Sequence, residues 1–310
     1  MHLTYRCYPC ILDDLAGAIE LLRIDPETAP AIMHKTTEFL AREGRKRKPP
    51  SYYITAAHRI FKKETNIAEP FEELRKRTNE IGLEIAARVK KEISKLKDAD
   101  RFRKLALWCV AANHLDFRTA GTGYAFDPSG IYNMLKKEVR RGLAVDMVNE
   151  FRQAATQAKK ILYIHDNVGE IAIDALLIEE LRHMGAIVTS ALRGGPITSD
   201  ATKKDGRAVG LFEVADNVIV AGPDTLGISL EEMSNELASA LRTADLVIAK
   251  GQANYYVLPE YTEKNPKQVV YLFSTKCDPV AEKFGLEGKK NIVWMNEPKK
   301  LSKRRSNETA

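Results

Sequence analysis

The sequence is poor in cysteine and has no long apolar run. Four cysteines among 310 residues are too few to staple a small secreted fold, which excludes disulfide-rich scaffolds. No stretch approaches the 18 or so apolar residues of a membrane-spanning helix. The first residues, MHLTYRCYPCILDD, lack the layout of a secretory signal because acidic residues directly follow the short apolar patch. These absences predict a cytoplasmic protein with no membrane partner.

Several familiar catalytic and nucleotide-binding patterns are also absent. The chain has no GxxxxGK[ST] loop, which argues against a P-loop ATPase. It lacks both the GxSxG turn of serine hydrolases and a DxDx[TV] aspartyl-phosphatase pattern. No GxGxxG follows the first predicted strand, so an enzyme that binds a nucleotide cofactor on such a sheet is only a weak alternative.

Charge of one sign does not dominate the chain, since 48 basic residues are offset by 42 acidic ones and the net charge is +6. The excess is concentrated at residues 42–48 (REGRKRK) and 299–305. A nucleic-acid surface would interleave basic residues with exposed aromatics, and neither run does so. We therefore interpret both runs as solvated segments and expect no nucleic-acid partner.

Hydrophobic residues make up 44% of the chain, enough for a sizeable core, and their spacing divides it into two parts. Residues 1–155 have helical spacing and no convincing strand, which predicts an all-helical N-terminal domain. Its expected helices follow the CYPC at residues 7–10, cover 28–42 and 52–64, carry an apolar stripe over 74–96, and end with a buried helix over 105–115.

Residues 156–298 alternate between short branched runs and helical patterns. Strands are predicted at 161–164, 187–192, 217–220, 246–249, 269–273 and 292–295, with helices at 170–184, 207–214 and 230–242. Such alternation predicts a parallel sheet with helices on both faces, a three-layer α/β/α Rossmann-like domain. Residues 299–310 form a basic C-terminal tail.

Polar residues stand where the first predicted strand ends, in ILYIHDNVGE over residues 161–170. Ligands bind at this edge of an open α/β sheet, and Asp166 followed by Asn167 offers two hard oxygen donors to a divalent cation. Asp and Asn in this position also serve as ordinary turn and capping residues. From these ten residues alone, a ligand site and a cap remain equally open.

The next strand adds a second set of polar groups at the same edge. Arg193 follows it directly, and Asp200 comes a few residues later. Asp166, Asn167 and Asp200 together would suit Mg²⁺, Mn²⁺ or a similar metal with positions left for water and phosphate. Taken alone, Asp200 is better explained as the cap of the helix that starts near Thr202.

The third and fourth strands offer groups that suit an anion. Exposed amides near Gly222 could cradle a phosphate, although a plain capped loop explains the segment as well. Lys250 lies at the end of the fourth strand and could neutralise a phosphoryl oxygen; the alternative is a surface lysine. In the helical part, Asn113, His114 and Asp116 follow a buried helix and must be satisfied or functional.

Seven short motifs in order resemble domain-of-unknown-function family 89, also called the metal-dependent damage-control phosphatases. They are CYPC, AANHLDF, HDNVGE, RGGPITSDAT, GPDTLGISLEE, AKGQANY and TKCDPV, and they run from about residue 5 to residue 285. The CxxC resembles the subfamily found in archaea and some bacteria. The resemblance implies a helical N-terminal part followed by an α/β/α sheet domain.

The resemblance also implies a function and a set of site residues. It implies hydrolysis of phosphomonoesters of small metabolites, such as sugar phosphates, nucleotides or cofactor fragments, with a divalent cation (Mg, Mn, Co or Ni). Asp166, Asn167 and Asp200 match the family's metal-binding positions, and Asn113 and Lys250 match positions lining the phosphate site. The predicted site is completed by Arg193 and Gly222 as substrate-binding residues, and by Asp166, Asp200 and Lys250 as catalytic ones.

Two questions stay open at this point. A non-catalytic protein that binds a metal or a phosphorylated metabolite would keep the same ligand set without turnover. Cys7 and Cys10 could be packed structural thiols, half of a zinc site or a redox pair. We expect structural thiols that fix the first helix, because no second CxxC follows and Cys277 could join the pair only if the N-terminus docks on the sheet domain.

Overall fold

A computed structural model describes residues 1–117 and 128–297, and in that part of the chain seven strands form one sheet. The strands are β1 (Val145–Asp146), β2 (Lys160–Ile164), β3 (Ile187–Leu192), β4 (Asn217–Val220), β5 (Leu246–Lys250), β6 (Gln268–Ser274) and β7 (Asn291–Met295). Their order across the sheet is β1-β7-β6-β5-β2-β3-β4. The five strands from β6 to β4 are parallel, whereas β7 runs antiparallel to β6 and carries β1 on its outer edge.

Helices precede the sheet and fill the connections between its strands. In the N-terminal part they are α1 (Cys7–Leu21), α2 (Thr28–Glu43), α3 (Pro50–Thr65), α4 (Glu72–Ile93), α5 (Asp98–Ala111), α6 (Pro128–Arg141) and α7 (Val148–Gln157). Among the strands they are α8 (Glu170–His183), α9 (Lys203–Ala208), α10 (Leu211–Val214), α11 (Asn235–Thr243), α12 (Gly251–Lys264) and α13 (Asp278–Ala281).

Two hydrophobic cores lie on opposite faces of the sheet, as the strand period of two requires. Ile161 and Tyr163 of β2 face one core, which also holds buried side chains of α1–α5, α7 and α8. Leu162 and Ile164 face the other, which is closed by α11 and α12. Both faces are therefore covered by helices, and the three-layer α/β/α architecture predicted from the sequence is confirmed.

The order in which strands are added to the sheet changes sides at β2. The chain builds β3 and β4 on one side of β2 and then returns to place β5 on the other side. The crevice between the carboxyl ends of β2 and β5 is therefore the topological switch point, where open α/β sheets bind ligands. Ile164 pairs with Ala249 at this end, so the residues after Ile164 face those after Ala249.

The structure departs from the sequence prediction in several places. The sheet is mixed and not wholly parallel, because the segment between β6 and β7 contains only short helical turns and no long crossover helix. Strand β1 lies in the part predicted to be all-helical, but two residues are too few to give a strand pattern. Helix α12 was not predicted, since Pro259 interrupts its helical pattern.

The helical part and the sheet share a core. Ile11 and Trp108 belong to the same buried cluster as Tyr163 and Val188. The division at residue 155 stays a prediction, and the tail at 299–310 lies outside the described residues. Of the helices that the structure describes, none is long and apolar enough to cross a bilayer.

Candidate functional site

The turn after β2 places Asp166 at the switch point. Its side chain is only 4% exposed, and its Oδ2 accepts hydrogen bonds from the amides of Asn113 at 3.0 Å and Asn167 at 2.7 Å. No described residue donates a hydrogen bond to Oδ1. Burial, and then the carboxylates of Glu170 and Asp200, raise the pKa of Asp166 well above its ordinary range. Concentrated negative charge of this kind favours a bound cation.

A glycine is required beside this carboxylate. Gly251 begins α12 with φ +75°, a conformation that side chains rarely adopt. A Cβ at this position would lie 1.9 Å from Oδ2 of Asp166. The end of β5 therefore closes tightly over the carboxylate and fixes its position.

Asn167 links the turn after β2 to the segment that carries Asp200. Its side-chain Oδ1 lies 2.7 Å from the hydroxyl of Ser199. The backbones of Asn167 and Asp200 form an isolated antiparallel bridge, and the amide of Ala201 donates to the carbonyl of Asp166 at 2.8 Å. The structure thus brings together the three predicted metal ligands, although Asp166 and Asn167 come from the loop after β2 and Asp200 from the loop after β3.

The carboxylate of Asp200 already has strong partners. Its Oδ1 accepts from Nε of Arg193 at 3.0 Å and from the amide of Gly227 at 2.7 Å. Its Oδ2 accepts from the hydroxyl of Thr198 at 3.3 Å. Helix α9 is capped instead by Thr202, whose hydroxyl and amide both contact Asp205, so the alternative of a capping role for Asp200 is wrong.

Arg193 and Gly222, both predicted to bind substrate, lie behind the site. Arg193 is 1% exposed and, besides Asp200, contacts the carbonyl of His165 and the side chain of Asn254. The carbonyl of Gly222 accepts a hydrogen bond from the amide of Gly194. Neither residue lines the cavity over Asp166. Their assignment to substrate binding stays a prediction.

Lys250 is fully buried beneath the site. Its Nζ donates to Oε1 of Glu170 at 3.0 Å and to Oδ1 of Asp174 at 2.7 Å. Burial alone would lower the pKa of Lys250, but the carboxylates of Asp174 and Glu170 raise it, so the ammonium stays charged. The second oxygen of Glu170 accepts from Asn113, which connects this buried group to Asp166. The predicted contact between Lys250 and a phosphate also stays a prediction.

A cavity of about 410 Å³ opens over Asp166 and Asn167, and the cationic side chains that line it are Lys276, Arg6 and Lys289. Lys276 forms an ion pair with Asp116, whose other oxygen lies 2.7 Å from the Ser199 hydroxyl. That hydroxyl has one hydrogen to donate, either to Asp116 or to Asn167. Burial alone would lower the pKa of Lys276, but Asp116 and Asp166 raise it. Lys276 is part of the TKCDPV motif, but the sequence alone does not predict a role for it. The sequence signal that could have identified Lys276 is its place among the polar residues that follow the apolar run of β6.

The three cysteines outside the core share the wall of this cavity. Cys7 and Cys10 are in the first turns of α1, and Cys277 lies directly before α13. The N-terminus does dock on the sheet domain: the amino group of Met1 donates to the carbonyl of Tyr256 at 2.9 Å, and Arg6 pairs with Asp278. None of the described cysteines forms a disulfide.

The donors at the switch point suit a hard divalent cation. Asp166 has one oxygen without a hydrogen bond from the described residues, and Asp200 and Asn167 add a second carboxylate and an amide oxygen. In the part of the chain that the structure describes, no three His, Cys, Asp or Glu side chains converge to form a metal site by themselves. Any cation here therefore depends on the amide of Asn167 and on positions left for water or substrate.

Comparisons with known proteins identify the family of the chain. A family model described as the damage-control phosphatase ARMT1-like domain matches residues 3–292. An uncharacterised protein of Methanocaldococcus jannaschii is 32% identical over 93% of both chains. A damage-control phosphatase of Archaeoglobus fulgidus is 28% identical over 92% of this chain and 96% of its own. A damage-control phosphatase of Pyrococcus horikoshii is 30% identical over 92% of this chain and 94% of its own.

A solved structure extends the agreement to the fold. The crystal structure of a DUF89 family protein from Pyrococcus horikoshii superposes with a TM-score of 0.85 at 28% identity, covering 96% of this chain and all of that one. The family model spans nearly the whole chain, including every residue of the site described above. This chain therefore belongs to the damage-control phosphatase ARMT1-like family.

Proposed function

We propose that this protein is a divalent-cation-dependent phosphatase that hydrolyses phosphomonoesters of small metabolites in the cytoplasm, in a damage-control role. The observation that carries the proposal is the position of Asp166 and Asn167. They lie at the switch point, on the wall of a 410 Å³ cavity whose other polar groups include Lys276. A cation site and an ammonium in one cavity are what a phosphate dianion requires.

Asp166, Asn167 and Asp200 would hold the cation, which we propose to be Mg²⁺, Mn²⁺, Co²⁺ or Ni²⁺. When bound, the cation neutralises charge on a phosphoryl oxygen and makes a bound water a stronger nucleophile. Ser199 and Arg193 would not contact the cation themselves. Their hydrogen bonds orient the side chains of Asn167 and Asp200.

The surrounding side chains would position the phosphate and hold the ligands. Lys276 donates to a phosphoryl oxygen, and its pairing with Asp116 keeps the ammonium charged and in place. Asn113 and Asn167 both donate to Oδ2 of Asp166, which leaves Oδ1 directed to a ligand. Lys250 compensates the buried charges of Glu170 and Asp174, so that Asn113 has a fixed partner in Glu170.

The cavity suits a small phosphorylated metabolite. Its volume fits a sugar phosphate, a nucleotide or a cofactor fragment. It is also lined by Ile54, Leu226 and Tyr256, which would contact the less polar body of the substrate. Relatives named damage-control phosphatases support this class of substrate.

The proposal is tested by release of phosphate from p-nitrophenyl phosphate, followed by a panel of sugar phosphates, nucleotides and cofactor fragments. The purified protein is stripped with a chelator and assayed with Mg²⁺, Mn²⁺, Co²⁺ or Ni²⁺ added singly. We expect turnover only when a cation is restored. Saturable cation and phosphate binding without turnover on any compound would instead establish a non-catalytic binding protein.

A further inference from the structure

The segments that follow β6 and precede β7 bring two lysines to one cavity. The amide of Thr275 donates to the carbonyl of Lys290 at 2.9 Å, and the amide of Lys290 donates to the Thr275 hydroxyl at 2.8 Å, so the two segments stay side by side beyond the strands. Lys276 directly follows Thr275, and Lys289 directly precedes Lys290. Both lysines line the 410 Å³ cavity over Asp166. Two cationic side chains therefore lie on neighbouring segments of its wall.

Asp116 is the carboxylate that these two lysines share. Lys276 forms an ion pair with it, whereas the side chain of Lys289 forms no ion pair or hydrogen bond with any residue that the structure describes. Partial burial, and then the charge of Lys276, lower the pKa of Lys289, while Asp116 raises it. Like charges on neighbouring segments repel each other, so the two lysines together favour an incoming anion.

The other charged side chains that line the cavity outside the proposed cation site already have partners. Arg6 pairs with Asp278 at 3.4 Å. Nε2 of His58 lies 2.8 Å from Oδ2 of Asp14. Among the described residues of this lining, Lys289 is therefore the cation whose charge is left for a ligand.

The two lysines lie at different depths in the cavity. The side chain of Lys276 is 20% exposed, and Asp166 is among the carboxylates that raise its pKa. Lys289 is exposed, and the charges that shift its pKa are those of Lys276 and Asp116. Lys276 is thus the lysine next to the proposed cation site, and Lys289 lies nearer the solvent, where the rest of a bound substrate would extend.

We propose that Lys289, together with Lys276, binds a second anionic group of the substrate, a carboxylate or a phosphate. The preferred substrates would then be phosphomonoesters that carry a further negative charge. This inference rests on the proposed phosphatase function and names the substrate class of the same site. The phosphate to be released would lie at the cation site and contact Lys276, and the second anionic group would lie beside Lys289. A cavity of 410 Å³ has room for both groups.

The test compares phosphomonoesters that differ in one anionic group. 6-Phosphogluconate has a carboxylate where glucose 6-phosphate has none, and glucose 1,6-bisphosphate has a second phosphate. With the activating cation present, we expect kcat/KM to be higher by about tenfold or more for at least one doubly anionic compound, because a charge-assisted contact is gained. The compound that gains more identifies the group as a carboxylate or a phosphate. Equal kcat/KM for all three would overturn the inference and leave the phosphatase function standing.

A second readout does not depend on turnover. The same three compounds are titrated by calorimetry into the chelator-treated full chain. We expect the preferred doubly anionic compound to bind about tenfold more tightly than glucose 6-phosphate. If none of the compounds is hydrolysed, the phosphatase proposal fails, and this titration alone decides whether the second anionic group is recognised.

Variants of neighbouring lysines assign the preference to one side chain. Lys289→Ala should lower kcat/KM for the preferred compound by about tenfold more than for glucose 6-phosphate, and Lys289→Arg should retain the parent's preference. Lys290→Ala is the matched control, because it removes the same charge from a residue that does not line the cavity. It should keep the preference.

Two results with these variants would overturn the inference. An equal loss for both compounds in Lys289→Ala would assign Lys289 to the phosphate that all substrates share. Loss of the preference in Lys290→Ala would show a response to net charge alone. Thermal unfolding of each variant establishes that it is folded as the parent is.

Discussion

At the scale of the residue, the alternation of side chains between the two faces of a strand decides which lysine reaches the cavity over Asp166. Lys250 shares a face of β5 with Leu246 and Ile248, and that face packs on the core beneath α8. It therefore meets Glu170 and Asp174, which lie one helical turn apart on α8. The sequence indicates a lysine at the end of a strand, but the direction of its side chain depends on which core each face contacts.

Replacing Lys250 should affect stability first. In Lys250→Met the buried carboxylates of Glu170 and Asp174 lose their cation, which we expect to cost about 3–5 kcal/mol in the free energy of unfolding. Urea denaturation measures the loss. Lys90→Met is the control: it removes an exposed pair with Glu179 and should cost less than about 1 kcal/mol. Unchanged stability with weaker inhibition by free phosphate would restore Lys250 as a phosphate ligand.

Replacing Lys276 should affect phosphate recognition. Lys276→Ala removes the ammonium on the cavity wall, so we expect competitive inhibition by inorganic phosphate to weaken by about tenfold or more. Metal titration should give a cation affinity close to that of the parent. Lys283→Ala, at an exposed lysine that does not line this cavity, serves as the control. Phosphate inhibition equal in parent and variant would remove Lys276 from the site.

At the scale of the element, the strands were predictable and their assembly only partly so. Branched runs such as Ile187–Leu192 gave strand positions within a residue or two, because parallel strands buried on both faces are almost purely apolar. The Asp–Asn pair after β2 could likewise be placed at the ligand edge. Helix α11 begins at Asn235 with Ser234 as its cap, later than the 230 predicted, because the polar segment before it also fits a first turn. The direction of β7 depends on tertiary contacts.

Helix α4 crosses the turn after β2 at two glycines. A Cβ on Gly82 would lie 2.2 Å from the carbonyl oxygen of Gly169, and one on Gly169 would lie 2.6 Å from the carbonyl oxygen of Thr78. This close approach lets Asn79 of α4 accept a hydrogen bond from the amide of Gly169 at 2.9 Å. Helix α4 therefore supports the loop that carries Asp166 and Asn167.

Gly82→Ala should reverse the usual effect of this substitution. In an ordinary helix interior, alanine for glycine stabilises by about 1 kcal/mol. Here the added methyl group overlaps backbone atoms, so we expect a loss of about 1–3 kcal/mol, measured by urea denaturation. The neighbouring Leu83→Ala, at a residue 41% exposed, should change stability by less than about 0.5 kcal/mol. A stabilised Gly82→Ala would contradict the close packing.

At the scale of the whole molecule, the N-terminal helices help to line the cavity over Asp166. Cys7 and Ile11 of α1 line it together with Asp166 and Lys276. The sequence predicted the helical part and the sheet separately, but it gave no measure of how they pack. That packing brings Cys7, Cys10 and Cys277 to one wall, a proximity that sequence spacing over some 270 residues does not reveal.

Replacement of the CxxC pair tests whether these two cysteines have a structural role. Replacing both Cys7 and Cys10 with serine should lower the melting temperature, because polar hydroxyls replace half-buried thiols at the start of α1. Turnover at moderate temperature should stay close to that of the parent. The matched control is Cys277→Ser, which replaces the third cysteine of the cavity wall, directly before α13. Loss of turnover in a folded double variant would assign the pair to the active site, and loss of a bound zinc would make it a metal site.

The central claim, that Asp166 holds the cation on which phosphate release depends, is tested most directly by Asp166→Ala. Turnover of p-nitrophenyl phosphate and cation affinity are measured side by side for parent, Asp166→Ala and Asp200→Asn, with circular dichroism as the check on folding. We expect Asp166→Ala to fold and to lose both activity and cation binding, because a hard ligand and its charge are gone. Asp200→Asn should retain part of both, since an amide oxygen still coordinates. A folded Asp166→Ala with full turnover and the parent's cation affinity would contradict the account.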